Sequence, residues 1–496
     1  MLVVSLNKES YEYDVHSLVK AFYPEEQVSV LLPESSEKKQ SELQGQIRIR
    51  IEIQDEGARV SVDGQEYCWK TCEDEMLKRE TEQSAAASFS AKQVKDGFKR
   101  FLYRVLSGET GKTLPWGNLT GIRPTKIAYG MLEEGKSRQE ILDYYREKHL
   151  VSTEKADLSF DIAQREKKLL ADVHYEGGYS LYIGIPFCPT TCLYCSFTSY
   201  PIGGYRKLVD SYVDCLIQEM KFVAWEFRGK ILDSVYIGGG TPTTLEPEQM
   251  DRLITALKEL FDFKDVKEFT VEAGRADSIT EEKLRVLYRH GVSRISVNPQ
   301  TMKQETLDII GRRATVEQVE QAYALARKIG FDNINMDLIL GLPGELEGDV
   351  QRTIDRVVEL APDSLTVHSL AIKRASKLNL WIQENGVAML HNTDKTMEIA
   401  AKGAKALGLV PYYLYRQKNM SGNFENVGYA KEGKLGLYNI LIMEEKQTIV
   451  ALGAGSITKR VFPDGRIERC DNVKDVKLYI EQIDEMIERK KKLFEM

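Results

Sequence analysis

Runs of apolar, β-branched residues alternate with helix-length amphipathic stretches through the middle of the chain. The strand-like runs are Ser180–Ile185, Ser234–Ile237, Glu268–Val271, Arg294–Val297, Asn333–Ile339 and Ser364–Val367. A run of this kind followed by a helix of crossover length is typical of a βα unit, and repeated units build a parallel sheet. The pattern over residues 180–371 therefore predicts an α/β domain of six βα units, with its chemistry where the strands end.

The first part of the chain, residues 1–179, has a different pattern. Three segments alternate between apolar and polar residues: Gln27–Leu32, Gln46–Ile53 and Ala58–Val62. Such alternation predicts short antiparallel strands. An apolar stripe between Val94 and Leu106 has helical spacing, and Gly108 is a candidate residue for the end of that helix. We expect an N-terminal accessory α+β domain here and a C-terminal helical and mixed extension over residues 372–496 that covers the substrate.

Composition and charge exclude two classes of protein. The 496 residues are 42% hydrophobic and carry a formal net charge of −7, with acidic and basic residues interspersed. A nucleic-acid binder needs clustered positive charge to neutralise phosphates, so we expect no nucleic-acid partner. No apolar run approaches the ~20 residues of a membrane span, and the first apolar run is too short for a signal peptide. We therefore expect a cytoplasmic protein of more than one domain, whose thiols stay reduced.

Three cysteines lie close together after the first predicted strand of the α/β domain. Pro186 ends this strand, and Cys188, Cys192 and Cys195 follow it in Cys-x3-Cys-x2-Cys spacing. Three soft thiolates on one loop can bind an iron–sulfur cluster, and a cluster of four irons then keeps one iron open to another ligand. A disulfide fits poorly in a reducing compartment, and a structural zinc site needs a fourth cysteine or histidine nearby.

A second metal site at Cys68 and Cys72 is one interpretation of the sequence. They flank Trp69 and could form half of such a site, but no partner pair lies near them in the sequence. Ordinary structural thiols are the alternative.

The cysteine loop and its flanks resemble a known family. The spacing of the cysteines, the preceding Tyr-x-x-Ile-Pro-Phe motif (residues 182–187) and the aromatic Tyr194 resemble the radical S-adenosylmethionine (radical SAM) superfamily. The resemblance is to its oxygen-independent coproporphyrinogen III oxidase (coproporphyrinogen dehydrogenase) branch, in the HemZ-like subgroup, and extends over residues 180–458. It implies a partial (β/α)6 radical SAM barrel, a 4Fe-4S cluster held by the three cysteines and bound S-adenosyl-L-methionine. It also implies an electron donor such as flavodoxin or ferredoxin.

The same resemblance implies residues that bind S-adenosylmethionine at the ends of successive strands. A Gly-Gly-Gly-Thr sequence (residues 238–241) follows the second strand, and without side chains its backbone can approach a ligand closely. Gln300 and Arg312 have suitable chemistry, because an amide can satisfy ribose hydroxyls and a guanidinium can hold a carboxylate with two hydrogen bonds. The full set implied as cofactor-binding is Tyr182, Tyr194, Gly239, Gly240, Thr241, Glu272, Gln300, Arg312, Asp337, Ala371 and Ile457.

For the reaction, the resemblance implies removal of a hydrogen atom from a propionate of coproporphyrinogen III, loss of carbon dioxide and formation of a vinyl group. Done twice, this gives protoporphyrinogen IX in anaerobic heme biosynthesis. Two positions depart from the family pattern: Gly184 stands where the well-defined oxidases have histidine, and Ser196-Phe197 stands where they have a fourth cysteine. Two alternatives stay open: a heme-binding or heme-delivery protein that keeps the cluster, and a radical SAM enzyme that acts on heme.

The segment Tyr412–Tyr429 is a candidate cover for the substrate side. It combines five aromatic residues with Arg416 and Lys418. A tetrapyrrole needs flat apolar walls and cations for its carboxylates. The alternative interpretation is that Pro411–Tyr415 is a core strand and that the neighbouring bases face water.

Overall fold

The computed structural model describes residues 1–35, 47–84, 88–121, 123–373, 376–386, 389–416 and 424–495. The chain divides into two compact units: Met1–Gln164 with Arg416–Phe424, and Arg165–Tyr415 with Glu425–Met496. Within the described residues, no helix combines the length and the apolar composition needed to cross a membrane.

The first unit contains a five-stranded sheet. Its strands are β1 (Leu2–Leu6), β2 (Val28–Leu31), β3 (Ile47–Gln54), β4 (Gly57–Val62) and β5 (Gln65–Lys70). They lie in the order β2-β1-β3-β4-β5. β3 and β4 pair antiparallel as their alternating pattern predicts, and β5, which was not predicted, pairs antiparallel with β4. The antiparallel prediction is wrong for β2, which pairs in parallel with β1. The helix Glu12–Phe22 connects these two strands, and a helical crossover returns the chain in the same direction.

Helices pack on this sheet through apolar stripes. The helices that begin in the first unit are Glu12–Phe22, Glu75–Ser84, Ala91–Thr110, Thr125–Glu133, Arg138–Asp143 and Thr153–Leu170. The predicted stripe is confirmed on the helix Ala91–Thr110, where Phe98 and Leu102 are buried in the same core as the strands. The predicted end at Gly108 is wrong. The helix continues to Thr110 because the residue that adopts the left-handed cap conformation is Gly111, with φ 65°.

The second unit is built on a much larger sheet. Its strands, together with a small separate pair (β7 and β8), are β6 (Gly178–Ile185), β7 (Phe187–Cys188), β8 (Tyr200–Pro201), β9 (Ile231–Gly239), β10 (Glu268–Gly274), β11 (Arg294–Val297), β12 (Ile334–Leu340), β13 (Ser364–Ser369), β14 (Val410–Tyr415), β15 (Asn426–Ala430), β16 (Ile449–Leu452), β17 (Ile457–Val461) and β18 (Ile467–Asp471). The eleven strands of the main sheet lie in the order β14-β15-β13-β12-β11-β10-β9-β6-β16-β17-β18.

The six predicted strands are confirmed as β6, β9, β10, β11, β12 and β13. They lie side by side, and every pair of neighbours among them is parallel. Their residues are buried nearly without alternation, as in β6 and β12, because helices cover a parallel sheet on both faces. The α/β fold class is therefore confirmed. The carboxyl ends of these strands meet along one edge of the sheet, called here the C-terminal edge.

Five further strands extend the sheet at its two ends. β16 pairs in parallel with β6, and β15 pairs antiparallel with β13. The helices of this unit that lie wholly within it are Val209–Glu226, Pro247–Leu260, Glu281–Arg289, Gln304–Ile309, Val316–Ile329, Glu347–Leu360, Leu378–Asn385, Asp394–Ala406, Leu437–Glu444, Val476–Glu481 and Ile483–Glu495.

A buried ion pair holds the helix Ile483–Glu495 in place. Lys490 Nζ donates to Glu219 Oε1 at 2.6 Å, and both side chains are 0% exposed. The other carboxylate oxygen of Glu219 accepts hydrogen bonds from the Gly453 amide at 2.9 Å and from the Tyr479 hydroxyl at 2.6 Å. A buried carboxylate is tolerated when its oxygens are satisfied in this way. The pair therefore connects this helix to the loop that follows β16.

We expect Lys490→Met to lower the free energy of unfolding by about 3–5 kcal/mol, because it leaves the Glu219 carboxylate buried and without its cation. Lys491→Met is the matched control, since Lys491 is the next residue of the same helix and its side chain is 48% exposed. Urea denaturation followed by circular dichroism measures both variants. Equal unfolding midpoints for the two would contradict a stabilising role for the pair.

Candidate functional site

The cysteine loop follows β6 at the C-terminal edge. Two of the three predicted cluster ligands, Cys188 and Cys192, are buried, and the third is partly exposed. Backbone hydrogen bonds hold the loop: the Leu193 amide donates to Ile310 O at 3.0 Å, and the Leu378 amide donates to Leu193 O at 3.0 Å. Neighbouring segments therefore position the loop from two sides.

Burial and the neighbouring cysteines raise the pKa of Cys188 and of Cys195. Burial raises the pKa of Cys188 to about 11, with a further contribution from nearby Cys192 and Cys195. Burial also raises the pKa of Cys195. A bound metal centre supplies the positive charge that converts such thiols to thiolates. No three His, Cys, Asp or Glu side chains in the described residues converge on a single metal ion, whereas a four-iron cluster takes each thiolate at a different iron.

The glycine loop, residues 238–241, lies directly against the cysteine loop. The Gly240 amide donates to Ile185 O and the Thr241 amide donates to Phe187 O, each at 2.7 Å. These two hydrogen bonds join the end of β9 to the strand and loop that carry the cysteines. The predicted cofactor residues on the glycine loop are therefore held next to the predicted cluster ligands.

Glycine is required in this loop by close contacts and by backbone conformation. A Cβ atom on Gly240 would lie 2.6 Å from Phe187 O, and Gly239 has a φ of +111°. A larger residue would be strained at either position. At the end of the loop, the Thr241 hydroxyl lies 3.5 Å from Cys188 Sγ, within reach of a hydrogen bond to sulfur.

Glu272 lies at the end of β10 beside a stack of tyrosines. The Tyr236 hydroxyl donates to Glu272 Oε1, and the Tyr236 ring stacks on Tyr182 at 6.2 Å and on Tyr438 at 4.4 Å between centroids. Burial raises the pKa of Glu272 to about 7, and the nearby Asp337 carboxylate contributes to the shift. The arrangement brings three predicted cofactor residues, Tyr182, Glu272 and Asp337, to the same part of the C-terminal edge.

Gln300 connects β11 to β12 through an unusual backbone conformation. Its φ is 68°, in the left-handed region that few residues other than glycine adopt. Its amide donates to Asp337 O at 2.9 Å, and its carbonyl accepts from the Ile339 amide at 2.9 Å. The Asp337 carboxylate accepts from Asn335 Nδ2 at 2.7 Å. Gln300 and Asp337 are therefore adjacent, as a shared ligand requires.

Arg312 bridges the cysteine loop and the segment that follows β11. Its Nη2 lies 3.2 Å from the Tyr194 hydroxyl, and its Nη1 donates to Asn298 O. Tyr194 precedes the last cysteine of the loop, so the predicted cofactor residues Tyr194 and Arg312 are in direct contact. Arg312 thus presents a positive charge next to the predicted cluster site.

Three buried polar atoms at this site have no hydrogen-bond partner among the described residues. They are Asn298 Oδ1, Gln300 Oε1 and Arg312 Nε. Leaving such atoms unsatisfied costs about 1–3 kcal/mol each, so sites of this kind are typical of ligand-binding surfaces. A ligand with hydroxyl or ammonium donors and a carboxylate acceptor satisfies all three atoms. S-adenosylmethionine has these groups, and the residues present therefore fit it.

Ala371 and Ile457, the last two predicted cofactor residues, also lie near the C-terminal edge. Ala371 is partly exposed and follows β13. Ile457 is 46% exposed and begins β17, which pairs with β16 beside β6. Tyr212 connects the loop between β16 and β17 to the cysteine strand. Its hydroxyl donates to Gly184 O at 2.7 Å and accepts from the Ala454 amide at 2.9 Å.

Three residues at the site were missed by sequence reasoning. Arg275 donates to the cysteine loop, His368 lies near the end of β13 with Nδ1 3.3 Å from the Tyr415 hydroxyl, and Lys373 lies against Phe197. Each is a polar residue at the end of a strand or in the connection after one, a pattern shared by many residues that only face solvent. The strand ends themselves were the one signal that could have found them.

The interpretation of Tyr412–Tyr429 as a cover for the substrate is wrong for the first part of this segment. Tyr412–Tyr415 belong to β14, and Tyr412 and Tyr413 are buried, so the alternative that Pro411–Tyr415 is a core strand is confirmed. Arg416 does not face water either: it is 4% exposed and its Nη1 donates to Leu119 O at 2.6 Å within the first unit. Lys418 lies outside the described residues.

Cys68 and Cys72 carry no sign of a second metal site in the part of the chain that the structure describes. Both thiols are free and exposed, and the described residues hold no group of metal-binding side chains around them.

Comparisons with known proteins agree on one family. Residues 182–357 match the model of the radical SAM superfamily. The chain is 42% identical over 409 residues to the oxygen-independent coproporphyrinogen-III oxidase-like protein HemZ of Bacillus subtilis (strain 168), a match that covers 82% of each chain. It is 32% identical over 316 residues to the heme chaperone HemW of the same organism, covering 62% of this chain and 76% of that protein.

A solved structure shows the same fold. The coproporphyrinogen III oxidase HemN from Escherichia coli, described as a radical SAM enzyme, matches with a TM-score of 0.51 and 25% identity, over 64% of this chain and 72% of that chain. Membership of the radical SAM group implies a 4Fe-4S cluster and S-adenosylmethionine, which the residues at the C-terminal edge fit. The chain therefore belongs to the radical SAM superfamily and, within it, to the family of oxygen-independent coproporphyrinogen-III oxidase-like proteins.

Proposed function

We propose that the protein is a radical SAM oxidoreductase of tetrapyrrole metabolism, acting in the cytoplasm, that converts coproporphyrinogen III to protoporphyrinogen IX. The observation that carries the proposal is the contact between the cysteine loop and a set of buried polar atoms that need a ligand. Asn298, Gln300 and Arg312 supply those atoms, and Arg312 is hydrogen-bonded to Tyr194 of the loop itself. The similarity to coproporphyrinogen oxidases names the substrate class.

Each residue of the site has a proposed role in binding the cluster or the cofactor. In this proposal Cys188, Cys192 and Cys195 hold the cluster, and Arg312 pairs with the methionine carboxylate of the cofactor. Gln300 and Asp337 form hydrogen bonds with the ribose hydroxyls. The residues proposed to complete the cofactor site are Tyr182, Tyr194, Gly239, Gly240, Thr241, Glu272, Ala371 and Ile457. When bound, the cluster and cofactor supply the one-electron chemistry that removes a hydrogen atom from the substrate.

The proposed reaction on each of two propionates consumes no oxygen. Removal of one hydrogen atom from the side chain is followed by loss of carbon dioxide, and one electron passes to a one-electron acceptor as the vinyl group forms. Electrons for the cluster come from a reduced carrier such as flavodoxin or ferredoxin in this proposal. The protein's part is to orient the propionate and to keep water away from the reacting carbon.

A second candidate function is heme binding or heme delivery with the cluster retained, and turnover of heme itself is a variant of it. The similarity to the heme chaperone HemW favours this candidate, as does Phe197 at the position where the oxidases have a fourth cysteine.

An anaerobic assay separates the candidates. We expect the reconstituted protein, supplied with a reductant, S-adenosylmethionine and coproporphyrinogen III, to form a product that has lost two molecules of carbon dioxide, detected by mass spectrometry. A Cys192→Ser protein is the matched control and should form none, because its loop has lost one thiolate ligand. Stoichiometric heme binding with no decarboxylation would contradict the proposal and support heme delivery.

We expect Arg312→Lys to weaken S-adenosylmethionine binding by about tenfold to a hundredfold, because an ammonium cannot make the two parallel hydrogen bonds of a guanidinium to a carboxylate. Arg313→Lys is the control, since Arg313 is the exposed neighbour. Isothermal titration calorimetry on the cluster-loaded proteins measures the affinity. An unchanged dissociation constant for Arg312→Lys would remove this residue from the cofactor site.

A further inference from the structure

A cation and an exposed aromatic ring lie together beside the cysteine loop. Lys373 Nζ is 5.2 Å from the centroid of the Phe197 ring, and Phe197 is 71% exposed. Phe197 follows the last cysteine by two positions, whereas Lys373 lies in the connection after β13. Two separate segments of the second unit therefore bring an apolar face and a positive charge to one place.

Among the described residues, no acidic side chain forms an ion pair with Lys373. Burial lowers its pKa, and Cys195 is the one described ionisable group that acts to raise it. Desolvating an ammonium without a counter-charge is unfavourable, so an anion bound at this position would be strongly favoured.

Electrostatic interactions connect this cation to the cofactor residues. Burial lowers the pKa of His368. The Asp337 carboxylate acts to raise this pKa, and the Lys373 ammonium acts to lower it. Lys373, His368 and Asp337 are therefore close enough to interact electrostatically. Asp337 is a proposed cofactor residue, so Lys373 lies near the proposed cofactor site.

We propose that Lys373 and Phe197 form a subsite for a carboxylate of the tetrapyrrole, with the ammonium pairing with a propionate and the phenyl ring packing on a pyrrole ring. This inference rests on the proposed function and replaces the earlier assignment of the propionates to Arg416. A flat ligand with acidic arms fits the combination of an exposed aromatic face and a cation that has no acidic partner among the described residues.

Binding of coproporphyrin III, the stable fluorescent oxidised form of the substrate, tests the subsite on the cluster-loaded protein. We expect Lys373→Met to weaken its binding by about tenfold to a hundredfold, and Lys373→Arg to restore most of the loss. Lys377→Met is the control, since Lys377 is exposed on the same segment. Iron content and S-adenosylmethionine affinity should be unchanged in all three variants.

Three outcomes would overturn the subsite, and they can be told apart. Equal coproporphyrin affinity in Lys373→Met and the parent rejects the subsite alone and leaves the proposed function standing. Loss of S-adenosylmethionine affinity in Lys373→Met assigns the cation to the cofactor instead. A parent protein that neither binds coproporphyrin nor decarboxylates coproporphyrinogen rejects the proposed function and the subsite with it.

A second inference comes from a different observation, the contacts of Arg275 after β10. Its side chain is 4% exposed, its Nη1 donates to Thr190 O at 2.9 Å, and the same nitrogen lies 3.6 Å from Cys192 Sγ. Its Nε and Nη2 donate to the two carboxylate oxygens of Asp277 at 3.0 and 2.6 Å. The carboxylate therefore fixes the guanidinium in the orientation that points Nη1 at the cysteine loop.

A buried donor to a ligand sulfur changes the energetics of an iron–sulfur cluster. Hydrogen bonds and positive charge at the sulfur stabilise the reduced, more negative cluster and raise its reduction potential. We infer that Arg275 is a positioning residue that sets the potential of the cluster through Cys192, and that Asp277 holds it there.

Redox titration monitored by electron paramagnetic resonance tests this inference on the clusters that each variant retains. We expect Arg275→Gln to shift the midpoint potential to more negative values, because a charge and a donor are lost. Asp277→Asn should shift it to more positive values, because a nearby negative charge is lost while the asparagine oxygen still accepts a hydrogen bond that keeps the Arg275 donor in place. Arg289→Gln is the control, since this arginine is 64% exposed on the following helix.

A purely structural role would lower the cluster content of the variants, measured as iron and sulfide, without moving the potential of the clusters that remain. An unchanged midpoint potential in Arg275→Gln, or shifts of both variants in the same direction, would therefore overturn the inference.

Discussion

The site depends on two backbone hydrogen bonds between the glycine loop and the cysteine loop. Through them the amides of Gly240 and Thr241 reach Ile185 O and Phe187 O, and this contact is possible because no Cβ atom separates the two chains. Parallel pairing of β6 with β9 brings the loops to the same edge, but the hydrogen bonds determine how closely they approach. The other candidate ligand-binding residues lie on strands of the same sheet or in the loops that follow them, so the geometry of the site is built outward from this pair.

The parallel sheet could be predicted because its strands are continuous apolar runs with turn signals between them. The cysteine loop was equally visible, since its spacing is local in the sequence. The pairing of β16 with β6 could not be predicted in the same way, because nothing in the local sequence of β16 indicates which distant strand it pairs with. The parallel contact of β1 with β2 was missed for a similar reason: alternation shows which face is buried and says nothing about strand direction.

Residues of the candidate site could be predicted where the residue type alone limits the backbone conformation. They were harder to predict where contacts between distant parts of the chain determine what a residue does. Gly239 is an example of the first kind, because its positive φ excludes most side chains. Gln300 shows the opposite: it adopts a left-handed conformation with no glycine to signal it, and the strain is stabilised by its hydrogen bonds to Asp337 and Ile339. Arg275 and Lys373 belong to this second group as well. Each has a sequence context like that of a solvated loop residue, and its contact with the cysteine loop exists only in the folded chain.

The position of β16 has a consequence for how the protein is made. β6 is completed early in synthesis, yet its second neighbour in the sheet is translated only after all the other strands of the parallel array. The Glu219 carboxylate likewise lacks the cation that neutralises it until Lys490 has been synthesised. Until then one side of the cysteine strand is uncovered and the loop after β16, which contacts Gly184, is absent. Cluster insertion during translation would therefore meet an incomplete site with reactive thiols. Assembly of the metal centre is accordingly expected to follow synthesis of β16 and Lys490, as a maturation step separate from folding of the early strands.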